Sequence, residues 1–126
     1  MSILITGAAG FIGYHLSKKI LNKNTEVIGI DNINNYYDIN LKKNRLKVLN
    51  NFKNFSFIKK DLNEKKLLDK IYSKKKFNII LHLAAQAGVR YSLINPKNYL
   101  QNNIDVFLNI LEFTKKKEDR KLNICQ

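Results

Sequence analysis

A doubly wound α/β fold around a parallel sheet is predicted here by three observations. Short apolar runs alternate with segments of helical periodicity along the chain. The first run, Ile3-Leu4-Ile5, empties into Thr6-Gly7-Ala8-Ala9-Gly10-Phe11-Ile12-Gly13, with glycines at every third position between a strand and a helix. The second run ends on an acid, Asp31. Strands separated by helices of this length need right-handed crossovers and therefore a parallel sheet. The strand order expected is 3-2-1-4-5, which places a ligand over the carboxyl ends of strands one and four.

The first strand is expected over Ser2–Thr6 and the first helix over 10–22, with Ile12, Leu16 and Ile20 on one face. A second strand covers 26–30, and a polar, aromatic segment over 31–38 leads to a helix over Ile39–Leu49. The third strand, 55–58, precedes a helix over 63–73 that turns Leu67, Leu68 and Ile71 inward. A fourth strand covers 78–83. Pro96 then opens a long helix over 96–116, capped by Asn95, with proline in the first turn where its missing N–H costs little. Leu100, Ile104, Phe107 and Leu111 keep helical spacing on it, and a fifth strand is expected over 121–125. No repeat or Pro/Gly-rich linker marks a boundary, so 1–126 reads as one region.

The 126 residues suffice for one domain that buries about two-thirds of its unfolded surface. The net charge of +13 raises nucleic acid as a partner. Against that, 20 of the 23 basic residues are Lys and 3 are Arg, whereas bidentate readout of bases and phosphates favours Arg. Lys, Asn and Ile together supply 54 of the 126 residues, a joint excess of unrelated types that reads as compositional bias. The clusters Lys74-Lys75-Lys76 and Lys115-Lys116-Lys117 also fall where helices should end and favour cations. No nucleic-acid partner is therefore expected. No stretch approaches the ~18 unbroken apolar residues of a membrane span. The chain begins on strand residues with no signal peptide, and Cys125 as the one cysteine excludes an internal disulfide. A cytoplasmic setting is expected. Two distant histidines and one cysteine provide no metal-ligand spacing.

The glycines have separate tasks in a dinucleotide-binding turn: Gly7 for the tight turn, Gly10 for approach of a pyrophosphate, Gly13 for close packing of helix on sheet. The helix that follows aims its free N–H groups at the phosphates. At the end of strand two, Asp31 can accept both ribose hydroxyls of an adenosine and so select NAD over NADP; the alternative is a solvated turn aspartate. Asp61, followed by Leu62, can receive an adenine amino group, and can equally cap the third helix with Glu64 completing a capping box. His82-Leu83-Ala84-Ala85-Gln86 ends strand four with small residues, and His82 reads as a buried structural histidine. His15 falls on the outer side of the first helix. Arg90, after Gly88-Val89, suits a clamp on a diphosphate or carboxylate, or a surface ion pair.

These motifs resemble the extended short-chain dehydrogenase/reductase family. More narrowly they resemble its NAD-dependent nucleotide-sugar epimerases and dehydratases, those acting on UDP-glucuronate above all. The similar stretches are the glycine turn, Asp31-Asn32-Ile33-Asn34-Asn35-Tyr36-Tyr37-Asp38, Asp61-Leu62, His82-Leu83-Ala84-Ala85-Gln86-Ala87-Gly88-Val89-Arg90-Tyr91-Ser92, and Asn103 with Phe107-Leu108-Asn109-Ile110-Leu111-Glu112. The glycine turn marks only the superfamily; the runs from Asp31 and from Ala84 mark the glucuronate 4-epimerase type. The resemblance implies a Rossmann-type fold and an NAD site lined by Gly7, Gly10, Phe11, Ile12, Gly13, Asp31, Asn32, Asp61, Leu62, Leu83, Ala84, Ala85, Gln86 and Asn103. Arg90 stands beside that site as the candidate substrate contact.

One departure bears on activity. The family's catalytic Ser/Thr follows strand five, and its Tyr-x-x-x-Lys helix comes later still, whereas these residues end at Gln126. The two Tyr-x-x-x-Lys strings present, Tyr14 with Lys18 and Tyr72 with Lys76, have the wrong place in the fold. The expectation is an NAD-binding N-terminal part of an epimerase, inactive alone and prone to associate, with no catalytic residue and no sugar-binding lobe in these 126 residues. A stand-alone nucleotide-binding module and one half of a split enzyme, completed by a separately encoded C-terminal half, are the alternatives.

Overall fold

β1 (Ser2–Thr6) is buried along its whole length and holds the centre of the sheet. The computed structural model describes residues 1–117 and the backbone course of 121–124. Around β1 lie β2 (Glu26–Asp31), β3 (Phe55–Lys59), β4 (Ile79–His82) and β5 (Lys121–Ile124), all parallel and in the order β3-β2-β1-β4-β5. This is the order expected from sequence. Thr6 pairs with Ile30 on one side and His82 on the other, so three strands finish at one level.

Helices cover both faces, as a parallel sheet requires. On one face α1 (Phe11–Leu21) and α2 (Ile39–Leu49) pack over Ile3, Ile5 and Val27, adding Leu21, Leu46 and Leu49. On the other, α3 (Leu67–Lys74) and α6 (Val106–Lys115) pack over Leu4, Ile28 and Ile80, adding Leu67, Leu68, Ile71, Ile110 and Phe113. α2 spans the predicted residues, and its N-cap Asp38 accepts from the Asn40 N–H at 2.8 Å.

Three expectations need correction. α1 buries Gly13, Ser17 and Leu21; of the predicted line Leu16 and Ile20 pack half-buried against the core, while Ile12 is 59% exposed. The cause is main-chain contact. A Cβ at Gly13 would overlap the Gly7 carbonyl, its carbon 2.8 Å away, so the start of the helix rests on its glycine and Ile12 is left outside. α3 starts at Leu67 and not at 63, because Asp61 takes the Asn63 N–H at 2.8 Å in a local turn and Lys66 adopts a left-handed backbone, φ 59°. Asp61 therefore does not cap α3, and Glu64 instead pairs with Lys60 and Lys70.

The long helix expected over 96–116 runs unbroken from Pro96 to Lys115, with a π-helical turn inside it. A short α4 (Val89–Ile94) precedes α5 (Pro96–Leu100), and a π-helical turn (Gln101–Asp105) leads into α6. Asn95 does cap α5, accepting from Asn98 N–H at 3.1 Å. Val106, Ile110 and Phe113 face the core, while Leu100, Ile104 and Leu111 are exposed and Phe107 is half-buried. Cys125, predicted in strand five, lies outside the described residues.

The close approach of α1 to the turn predicts that Gly13→Ala lowers unfolding stability by about 1–3 kcal/mol through overpacking. Gly10→Ala, whose Cβ would meet Gly7 O at 3.1 Å, should cost less. Urea denaturation of both variants checks the difference.

Candidate functional site

A cleft of about 800 Å³ opens over the carboxyl ends of β1, β2 and β4. Its floor is main chain. Gly7 adopts φ +70°, and a Cβ there would come 2.8 Å from the Ala84 nitrogen. Gly7 N–H donates to Ile30 O at 2.8 Å, which ties the turn to β2. The first hydrogen bond within α1 runs from Tyr14 N–H to Gly10 O at 2.9 Å. The N–H groups of Phe11, Ile12 and Gly13 precede it, and these three residues line the cleft. Unpaired N–H groups at a helix start form a ready anion site.

Thr6 locks the β4 side. Its Oγ1 accepts from the Leu83 and Ala84 N–H groups, both at 3.1 Å, and contacts His82 Nδ1 at 2.7 Å. With both lone pairs engaged, the hydroxyl must donate its proton to Nδ1, which assigns the neutral imidazole with its hydrogen on Nε2. Burial pushes His82 below its ordinary value, in keeping with that neutral form. The ring stacks on Phe107 at 6.1 Å, and both residues line the cleft. Two bonds hold the next segment: Asn103 Oδ1 accepts Gln86 N–H at 2.7 Å, and Asn103 Nδ2 donates to Gln86 O at 3.1 Å.

Asp31 is buried at the end of β2, not solvated. One carboxylate oxygen accepts Ile33 N–H at 2.8 Å and the other accepts Ala9 N–H at 3.2 Å. Ile33 sits at φ 54°, a strained backbone for a β-branched residue, held by that bond. Tyr36 meets Tyr91 edge-on at 5.1 Å, so the segments from Asp31 and from Ala84 touch across the mouth of the cleft.

All fourteen residues assigned to the NAD site from sequence line this one cleft. Arg90 does not: it is exposed on α4, outside the lining. His15 is exposed between Phe11 and Tyr14, at 4.8 and 4.9 Å. The two Tyr-x-x-x-Lys strings stay clear of the cleft, and Tyr72 packs instead on Phe77 and Phe113 with the Lys76 ammonium 4.0 Å from its ring centre. Sequence reasoning missed Asn34, Tyr36, Tyr37, Lys42, Lys60, Tyr99 and Asn102 as lining residues. Asn34 and the tyrosine pair stand inside the run already singled out, and Lys60 precedes Asp61. Lys42 carried no signal, because lysine on a helix reads as a solvent-facing residue. Among the described residues, no group of His, Cys, Asp and Glu could hold a metal, and no helix is long and apolar enough to cross a membrane.

Fold and cleft together define a Rossmann-type protein with its site at the topological switch point between β1 and β4. The chain belongs to the GDP-mannose 4,6 dehydratase family, whose model matches residues 4–126. It is 49% identical over 112 residues to the protein CapI of Staphylococcus aureus, covering 89% of this chain and 33% of that one. To UDP-glucuronate 4-epimerase 1 of Arabidopsis thaliana it is 44% identical over 115 residues, 91% of this chain and 27% of the relative. The crystal structure of UDP-glucuronic acid 4-epimerase from Bacillus cereus, in complex with UDP-glucuronic acid and NAD, superposes with a TM-score of 0.84 at 37% identity, over 98% of this chain and 38% of that one. The chain thus spans between 25% and 38% of the length of the curated relatives it matches.

His82 carries a pH dependence whose sign follows from its lowered pKa. In the unfolded chain the imidazole titrates near 6.5, and in the folded chain below that. Its stabilising contribution is therefore full above pH 6.5 and is lost as the pH falls through the window beneath it, by no more than about 1.4 kcal/mol per pH unit. Urea midpoints between pH 8 and 5.5 should show this loss, and His82→Gln should flatten it.

Proposed function

We propose that this chain binds NAD in the cleft and forms the cofactor-binding part of a nucleotide-sugar epimerase of the UDP-glucuronate 4-epimerase type. The observation that carries this reading is the convergence of all fourteen assigned residues on one cleft floored by the glycine turn. The cradle fits the group. Gly7 and Gly13 leave no room for a side chain beneath a pyrophosphate, and the first N–H groups of α1 would hold its charge. Asp31 and Asn32 would take the adenosine ribose, Asp61 and Leu62 the adenine, and Leu83, Ala84, Ala85, Gln86 and Asn103 the nicotinamide side. When bound, NAD would supply a hydride acceptor and donor for a sugar carbon. The residues of this chain bind, orient and screen it from water.

In this reading residues 1–126 are the NAD-binding region. The catalytic Ser/Thr, the Tyr-x-x-x-Lys helix and the sugar-binding lobe would belong to further chain or to a separate polypeptide. Arg90 is then the proposed contact for the acidic part of a UDP-sugar. With one cysteine in its sequence, the chain suits a reducing compartment such as the cytoplasm.

Calorimetric titration tests the site. NAD should bind and NADP should bind more weakly, and Gly10→Val should abolish binding by pushing a side chain into the cleft. Equal NAD binding by Gly10→Val and the unmodified chain would overturn the assignment. The 126 residues alone should show no turnover of UDP-glucuronate, and measurable epimerisation would overturn the division of roles.

A further inference from the structure

Asp31 does not meet a ligand as a lone negative charge. The Lys42 ammonium, from the first turn of α2, lies 3.8 Å from its Oδ1, and the side chains of both are 7% exposed. Lys42 Nζ also donates to Asn34 Oδ1 at 3.1 Å and lies 5.7 Å from the centre of the Tyr37 ring. Asp31 and Lys42 both line the cleft, so the pair faces whatever occupies its β2 end. Burying an ammonium costs several kcal/mol unless it is paired, and an apolar side chain of the same length would pack here without that cost. What lysine adds is positive charge at the place where a dinucleotide's adenosine ribose would lie. Lys60 and Asp61, from the end of β3, add one charge of each sign to the lining, leaving the Asp31–Lys42 pair to set the local balance.

We propose that Lys42 sets how strongly the cleft discriminates between dinucleotides, by neutralising Asp31. A 2′-phosphate entering the site meets the pair, not a bare carboxylate, so the repulsion that favours NAD is moderated. The inference rests on the NAD reading above.

Calorimetry with NAD and NADP on the 126-residue chain and four variants tests it, each variant first checked for an unchanged thermal melt. Lys42→Met keeps the stem and removes the charge. It should weaken NADP more than NAD, raising the ratio of their dissociation constants about tenfold. Lys42→Arg should hold the ratio near that of the unmodified chain. Asp31→Asn frees the ammonium for a 2′-phosphate and should lower the ratio. In the Asp31→Asn background Lys42→Met should raise the ratio by clearly less than tenfold, because no carboxylate is left to unmask, so that the two substitutions are not additive. Should Lys42→Met fail to fold, Lys42→Gln takes its place among the four, since it also removes the charge and should raise the ratio in the same direction. NAD binding with a ratio that neither Lys42→Met nor Asp31→Asn moves would overturn this inference alone. No NAD binding by the unmodified chain would overturn the cofactor reading and this inference with it.

Discussion

Where β1 ends, main chain packs on main chain, and the rest of the structure follows from that contact. Gly7 lies against Ala84 at the exit from β4, and Gly13 lies against Gly7, leaving no space for a Cβ at either glycine. Gly7 N–H is bonded to Ile30 O at the exit from β2. Three strand ends and one helix start are thereby held at main-chain distance. Thr6 Oγ1 adds the side-chain link, holding two N–H groups of the β4 exit and the ring of His82. A floor built in this way presents backbone N–H groups to the cleft, because nothing larger fits between them and a ligand. The direction of α1 is a consequence of the same contact.

Much of the fold was legible because β1, β2 and β4 carry apolar runs bounded by turn residues, and because the glycine turn fixes what lies before and after it. β1 and α2 fall on their predicted residues, and the strand order is the predicted one. Periodicity failed where main-chain contact or a local turn outranked side-chain size. In α1 the inward line passes through Gly13 and Ser17, which no hydrophobic count would choose. At α3 the Asx turn made by Asp61 delays the helix by a turn. The candidate site was more legible than the helices around it, since its residues cluster at strand ends where topology brings them together. Lys42 was hidden because burial of its ammonium depends on Asp31 and Asn34, which lie eight or more positions away in sequence.

Several of the surface lysines have acidic or aromatic partners. Lys75 pairs with Glu26 at 2.7 Å, Lys60 and Lys70 share Glu64, and the ammonium groups of Lys76 and Lys117 lie over the Tyr72 ring. The two lysines on Glu64 hold its carboxyl below the usual range, with the Lys70 hydrogen bond the larger cause. Such exposed pairs are each worth little. They engage Lys60, Lys70, Lys75, Lys76 and Lys117 with partners close by. Lys42 stands apart as a lysine 5% exposed.

The segment after β4 shows why apolar pattern and packing can part company. Between Pro96 and Lys115 the sequence has two lines of large side chains one position apart, and the more continuous line, through Leu100, Ile104 and Leu111, faces outward. Polar anchors decide which line turns in. Asn103 satisfies both the N–H and the carbonyl of Gln86, and Asn109 donates to Leu62 O at 3.2 Å. Partly buried backbone groups left unpaired at Gln86 or Leu62 would cost as much as a side chain's worth of burial returns. The helix therefore turns its asparagines toward those loops, and Val106, Ile110 and Phe113 follow them into the core. The π-helical turn holds Asn102 and Asn103, which both line the cleft, and Val106 and Phe107 at the start of α6 line it too. Asparagine, which a hydrophobic count assigns to solvent, is here the residue that orients the helix.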